Sequence, residues 1–165
     1  MADQNEQSSE AAEQEAAPFL IHGQYIKDLS FEVPNAPGIF GKMMQNQPDV
    51  SVNVDVDAAK LTENQFEVTL KIRADCKVGE DVAFICELAY GGIFELNVPA
   101  EHLDPMLLIE CPRMLFPFAR NIVASTTRDG SFPPMMLNPV DFASMYRARL
   151  EALQAQKEAE DQPKN

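Results

Sequence analysis

Valines at 50, 52, 54 and 56 alternate with Ser51, Asn53, Asp55 and Asp57. A period of two puts every valine on one face of an extended strand and every polar residue on the other. The alternation returns in Phe66, Val68, Leu70, Ile72, Ala74 and Cys76 against Glu67, Thr69, Lys71, Arg73 and Asp75, so both segments predict strands with one wet face. Lys77, Val78, Gly79 and Glu80 make a short polar link with the glycine that a hairpin favours, and Val82 to Tyr90 is expected to return antiparallel beside its predecessor. Phe19 to Phe31 alternates less cleanly, yet its β-branched and aromatic content predicts a further strand. The stretch from Pro34 to Pro48 is too long for a tight turn and reads as a crossing connection of Greek-key type. Gly91-Gly92 predicts a bulge or a strand break.

After that the period changes. Asp104-Pro105 has the form of an N-cap followed by a first-turn proline, ahead of Met106, Leu107, Leu108 and Ile109. Pro112 and Pro117 fall inside this helical pattern, where each removes a backbone donor, and they predict a kink or a division into shorter helices. Gly130 suits the left-handed position after the helix end. A second helix is expected from Asn138-Pro139, with Asp141 in its first turn and Phe142, Met145, Tyr146, Leu150 and Leu153 on one face. Strands followed by helices indicate an α+β fold: a four-stranded antiparallel sheet, Greek-key-like, and then two helices, the first kinked by prolines.

Charge and composition narrow the picture. The 165 residues carry a net charge of -13, and residues 1–17 hold five acids and no base. Those residues contain too little apolar surface to offset their ordering entropy, so 1–17 is expected to be a disordered acidic extension, 18–154 a single domain, and 155–165 a frayed polar tail. A chain this acidic is a poor ligand for nucleic acid or for an anionic membrane. No stretch is apolar enough to span a bilayer, and Met1 to Ala17 lacks the charge and apolar core of a secretory signal, which predicts a cytoplasmic protein. Cys76, Cys86 and Cys111 have neither CxxC spacing nor neighbouring histidines and read as small buried hydrophobes.

Candidate chemistry is sparse. His22 and His102 have no Cys or Ser nucleophile at an activating spacing, and there is no GxGxxG, P-loop or GxSxG. No catalytic residue, cofactor or metal is expected. Asp55 and Asp57 share a strand face, but two carboxylates fall short of the oxygens a calcium site requires. Three features admit a functional reading beside a plain one. Phe132, Pro133, Pro134, Met135, Met136 and Leu137 form an apolar linker unfit for helix or strand; with Met43 and Met44 it supplies half of the eight methionines. It is either an adaptable binding surface or packing over the sheet. Asp28, Glu32 and Glu87, with Ile85, are either an acidic contact patch or a solvated sheet face. The run Val82 to Tyr90 is apolar on both faces, as at a subunit contact or under a helix.

Four runs carry a family resemblance: Tyr25 to Pro37 (YIKDLSFEVPNAP), Ala83 to Leu88 (AFICEL) with Gly91 to Phe94 (GGIF), Cys111 to Arg120 (CPRMLFPFAR) and Gly130 to Pro134 (GSFPP). In this order they resemble the SecB family of bacterial protein-export chaperones, with similarity from about Phe19 to Leu153. The resemblance implies a cytoplasmic homotetramer, a dimer of dimers, that holds unfolded preproteins without hydrolysing nucleotide and delivers them to the translocation motor SecA. It implies a SecA contact at Asp28, Glu32, Ile85 and Glu87, and an influence on the tetramer at Cys86, Leu88 and Tyr90. The client groove would fall on Phe132, Pro133, Met135, Met136 and Leu137, walled by Phe142, Met145 or Tyr146. Some members carry a tryptophan in the loop before the second strand; this chain has none and offers Phe40, Met43 and Met44. An acidic adaptor that binds one folded partner through its sheet is the alternative.

Overall fold

The computed structural model describes residues 18–160; the acidic extension read at 1–17, and residues 161–165, lie outside them. Strands β1 (Phe19–Glu32), β2 (Asp49–Lys60), β3 (Gln65–Val78) and β4 (Asp81–Leu96) form one antiparallel sheet in the order β1-β4-β3-β2. β1 and β2 are therefore opposite edges, and the connection between them crosses the sheet as expected, carrying the short helix α1 (Gly38–Met43). Gly79 turns the β3–β4 hairpin at φ +62°, a conformation that costs glycine nothing.

β4 runs unbroken through Gly91-Gly92, so the expected bulge there is absent. The irregularities lie in β1, where register shifts between Ile21 and Gly23 and between Ile26 and Asp28 leave His22 and Lys27 as extra residues. Two parity flips explain its ragged alternation. The glycine pair has another purpose. A Cβ on Gly92 would lie 2.7 Å from the Phe94 ring and 2.8 Å from Leu115 Cδ2, and one on Gly91 would lie 3.0 Å from the Tyr25 ring. One glycine lets a helix press on the sheet, and the other lets a tyrosine cross the opposite face.

The chain is helical from α2 (Ala100–Pro105) through a π-helical turn (Met106–Glu110) into α3 (Cys111–Asp129). The helix starts after Pro99, so Asp104-Pro105 ends its first segment and does not cap it. Pro112 has no N–H for the Leu108 carbonyl; the turn before it widens, and the Cys111 N–H bonds to Met106 O, five residues back. Cys111, Leu115, Ala119, Val123 and Thr127 recur every four residues on α3 and are all fully buried. This stripe packs on the sheet face formed by Phe66, Val68, Leu70 and Ile72 of β3 with Cys86, Leu88, Tyr90 and Phe94 of β4.

Two helix ends differ from expectation. Ser131, at φ 68°, takes the left-handed conformation expected of Gly130. Gly130 instead admits the Phe31 ring, since a Cβ there would fall 2.2 Å from Phe31 Cε1. Asp141 is the N-cap of α4 (Phe142–Glu160) and not part of its first turn. Its carboxylate accepts the Ser144 N–H at 3.0 Å and the Ser144 hydroxyl at 2.7 Å. Those bonds hold its pKa below the usual carboxylate value. α4 runs on past residue 155, where the frayed tail was expected to begin, to Glu160. Among the described residues no helix is long and apolar enough to cross a membrane.

Candidate functional site

The two faces of the sheet carry different chemistry. On the outer face, strand register assembles cross-sheet rows, because directly paired residues point to the same side. Asp28 lies opposite Ala89, Ser30 opposite Glu87 and Glu32 opposite Ile85. β3 continues these rows with Lys71, Arg73 and Asp75, and β2 with Asp55, Asn53 and Ser51. The four residues singled out for a motor contact are thus neighbours on adjacent strands. Asp28 and Glu32 are exposed, and Ile85 and Glu87 are half-buried. Glu87 is not bare: Arg73 Nη1 donates to its Oε1, while Arg73 Nε and Nη2 hold both oxygens of Asp75 at 2.9 and 2.8 Å. The two carboxylates raise the Arg73 pKa further, Asp75 foremost. Beside this network lies an open hollow of about 390 Å³, bordered by Asp28, Asp55, Lys71, Arg73, Glu87 and Ala89.

Further along the same face, Tyr25 reaches over Gly91 to donate its hydroxyl to Glu67 on β3, which also accepts Lys27 Nζ at 2.8 Å. The carboxylate raises the Tyr25 pKa to about 12, with partial burial adding to the effect. Lys27 first, and Tyr25 second, lower that of Glu67.

The inner face supplies apolar clefts. One, of about 200 Å³, is lined by Met43 and Pro48 of the crossing connection, Val50, Cys76 and Phe84 of the sheet, and Phe132 to Met135 of the linker. Its floor is aromatic: the Phe132 ring lies 4.9 Å from Phe84 and 5.4 Å from Phe40, and Phe31 lies 5.6 Å from Phe84. Thr127 anchors the linker, its buried hydroxyl donating to the Val123 and Ala124 carbonyls and accepting the Met135 N–H at 3.0 Å. A second open region, of about 400 Å³, lies between α4 and the end of β2. It is bordered by Ala58, Ala59, Leu103, Leu107, Leu150 and Leu153 among others. It adjoins a hollow at Val56, Leu108, Met145 and Tyr146. There Arg149 Nη1 donates to the Val56 carbonyl at 3.2 Å. From Val50 in the first cleft, the exposed Val52 of edge strand β2 leads toward the second region, on the face they share with Val54 and Val56. From Val50 to Ala58 this apolar trail is about 26 Å long at the usual strand rise.

The structure therefore sorts the expected groove residues. Met43, Phe132, Pro133 and Met135 meet in the first cleft, with Phe40 against Phe132; Met145 and Tyr146 line the hollow that adjoins the second region, and Tyr146 borders both. Leu137 and Phe142 line neither and are core residues, while Met136, at 61% exposure, and Met44, at 89%, project outside both clefts. Val50, Pro48, Cys76 and Phe84 were missed. The valine alternation already placed Val50 on the right face; what the sequence concealed was the height of the linker above it. The residues expected at a subunit contact need correction too. Cys86, Leu88 and Tyr90 are 1%, 2% and 7% exposed within a single chain, beneath α3. The second apolar face of their strand is explained by that helix, and a charge at Leu88 would fall in the subunit's own core. Burial raises the thiol pKa of all three cysteines, Cys111 to about 12.

An antiparallel sheet with one charged face, and one face of open clefts of which the first is roofed by a Met- and Pro-rich linker, has the form of a binding scaffold. Comparison with known proteins makes this specific. The model of the SecB family, described as preprotein translocase subunit SecB, matches residues 12–153. The chain belongs to that family of protein-export chaperones. The protein-export protein SecB of Rhodospirillum rubrum is 55% identical over 149 residues, covering 90% of this chain and 92% of that one. SecB of Afipia carboxidovorans is 48% identical, covering 99% of each. Among solved structures, a SecB-like chaperone of Mycobacterium tuberculosis in complex with a ChAD peptide from an antitoxin shares the fold. Its TM-score is 0.58 at 18% identity, covering 76% of this chain and 93% of that one.

Proposed function

We propose that the protein is a cytoplasmic holdase that keeps preproteins unfolded, in clefts on the inner face, and delivers them through its outer face to SecA, itself turning over no nucleotide. The observation that carries this reading is the apolar trail along β2 from the aromatic cleft at Phe132 to the α4 region. An unfolded chain loses conformational entropy on binding, so it must be held by many modest contacts over a long surface. A trail of about 26 Å takes roughly eight extended residues. Met43, Val50 and Met135 are the proposed anchors of the first cleft, with Met145 and Tyr146 of the second region. An adaptor for one folded partner would instead need a closed, matched patch.

The family's homotetramer is proposed here as well. Ile26 and Leu29 on edge strand β1, with Met114 and Phe118 on α3, stay exposed beside Tyr90, whose ring stacks on Phe118 at 6.4 Å. A second copy would cover them, and sedimentation equilibrium should give the mass of four chains.

The client site is tested by titrating an unfolded preprotein, calorimetrically, into the variant Met43→Ser, Val50→Ser, Met135→Ser. Each buried apolar side chain contributes about 1.5 to 3 kcal/mol at most. Other subunits and the second region still bind, so affinity should fall about tenfold or more without vanishing. Unchanged affinity in an intact tetramer would remove the first cleft from client binding.

A further inference from the structure

The outer face holds its own cation. Glu87, central to the proposed motor contact, already receives the Arg73 guanidinium, and Arg73 is tied at its other edge to Asp75 in a two-point fork. Ser30 Oγ adds only a long contact of 3.5 Å to the other Glu87 oxygen. Next to this network the hollow above Ala89 stands between Asp28 and Glu87 on one side and Lys71 and Arg73 on the other. Glu87 and Asp28 lie in adjacent rows, about 7 Å apart along the sheet by strand geometry. That spacing suits one guanidinium or ammonium group reaching both.

We propose that Arg73 is a built-in competitor for the partner's cation: it occupies Glu87 in the free protein and must swing away, keeping Asp75, when a basic side chain of the motor enters the hollow. The proposal rests on the reading of the outer face as the SecA contact. Charge complementarity supports it, since a basic group is the ligand that the exposed Asp28 and half-buried Glu87 carboxylates over a small Ala89 floor accept. The fork geometry supports the release. Arg73 loses one bond to Glu87 on swinging out and retains the pair to Asp75, so its charge is never left unpartnered. A resident cation then acts as a threshold, passing only partners that bring enough positive charge to displace it. It tunes affinity without touching the client clefts on the other face.

The test measures SecA affinity of the full-length tetramer by calorimetry, for the wild type, Arg73→Gln, Glu87→Gln, the double variant and two controls. Lys77→Gln removes the same charge from the same face without touching Glu87, and Asp28→Lys with Glu32→Lys reports on the face itself. An exposed ion pair is a weak competitor, so Arg73→Gln should tighten SecA binding only about two- to fivefold, with client affinity unchanged. Glu87→Gln should weaken binding more in the Arg73→Gln background than in the wild type, because only there is the carboxylate free. If Asp28→Lys with Glu32→Lys weakens binding and Arg73→Gln leaves it unchanged or weaker, the competitor role falls while the face keeps its partner. If Lys77→Gln tightens binding as much as Arg73→Gln, net charge explains the gain and the competitor role again falls. If Asp28→Lys with Glu32→Lys has no effect, the outer-face reading is wrong and the proposal goes with it.

Discussion

The two faces of one sheet carry opposite chemistry on the same strands. On the inner face, even-numbered positions of β3 and β4 are buried under the α3 stripe, and what remains open is apolar trail and aromatic cleft. On the outer face, the odd-numbered positions between them carry Glu67, Lys71, Arg73, Asp75 and Glu87, already paired among themselves and with β1 and β2. Hydrophobic contact is non-directional and scales with area, so the inner face suits chains of many sequences. Charge pairs fix register and partner, so the outer face suits one. A strand period of two lets a chain hold both without either crossing the sheet.

The sharpest way to break this contrast is to crowd it. Inner-side packing at Gly130 leaves no room for a Cβ, whereas around Gly23 nothing lies within 4 Å. Gly130→Val should therefore cost about 3 kcal/mol, the upper end for overpacking, and lower the melting temperature by roughly 6 to 12 °C. Gly23→Ala should shift it by no more than a degree or two, as surface substitutions do. Calorimetric melting of both variants decides it; equal losses would mean that both sides of the sheet are packed alike.

Salt separates the faces next. Raising ionic strength from about 0.05 to 0.5 M shortens the Debye length severalfold, so the proposed binding of SecA to the outer face should weaken by several fold through its on-rate. Client binding should hold or tighten slightly. Stopped-flow association with each partner across the salt series reads this directly, and parallel salt slopes would collapse the distinction between the faces.

Much of this was legible because strand alternation writes a face into the sequence. The parity of Val50 to Val56, and of Ile85 and Glu87 against Cys86 and Leu88, survives unchanged in the sheet. What failed was whatever depends on a neighbour far along the chain. Gly130 looks like a helix terminator until Phe31 arrives, almost a hundred positions earlier in the sequence, and Ser131 takes the strained turn instead. Leu137 and Met136 are adjacent in a linker whose sequence marks them alike, yet one is buried and the other projects, because the Thr127 hydroxyl fixes the path at Met135. The run Val82 to Tyr90 left a subunit contact and a covering helix equally open, because sequence shows that a face is apolar and not which element covers it.

The smallest predicted effect, and the most local, concerns Tyr25. Its hydroxyl donates to Glu67, a bond that only the neutral phenol can make, so the folded state holds the proton more tightly than the unfolded chain does. The sign follows: the folded pKa, about 12, lies above the ordinary 10.0, so the stabilisation from this bond is complete below pH 10 and is lost as pH rises through 12. Tyr25 is more than a third exposed, so the effect on melting should be slight even where the titration is clear. The phenolate absorbance near 295 nm should show one of the three tyrosines titrating near 12. Glu67→Gln should return that midpoint toward 10, because an amide at this position neither repels the phenolate nor prefers the phenol as strongly as a carboxylate does. Glu67→Gln also frees Lys27, whose ammonium then lies near the phenolate and pulls the same way. A Tyr25 midpoint that stays near 12 in Glu67→Gln would assign the shift to burial against Gly91, and the outer face would then be packed there as the inner face is.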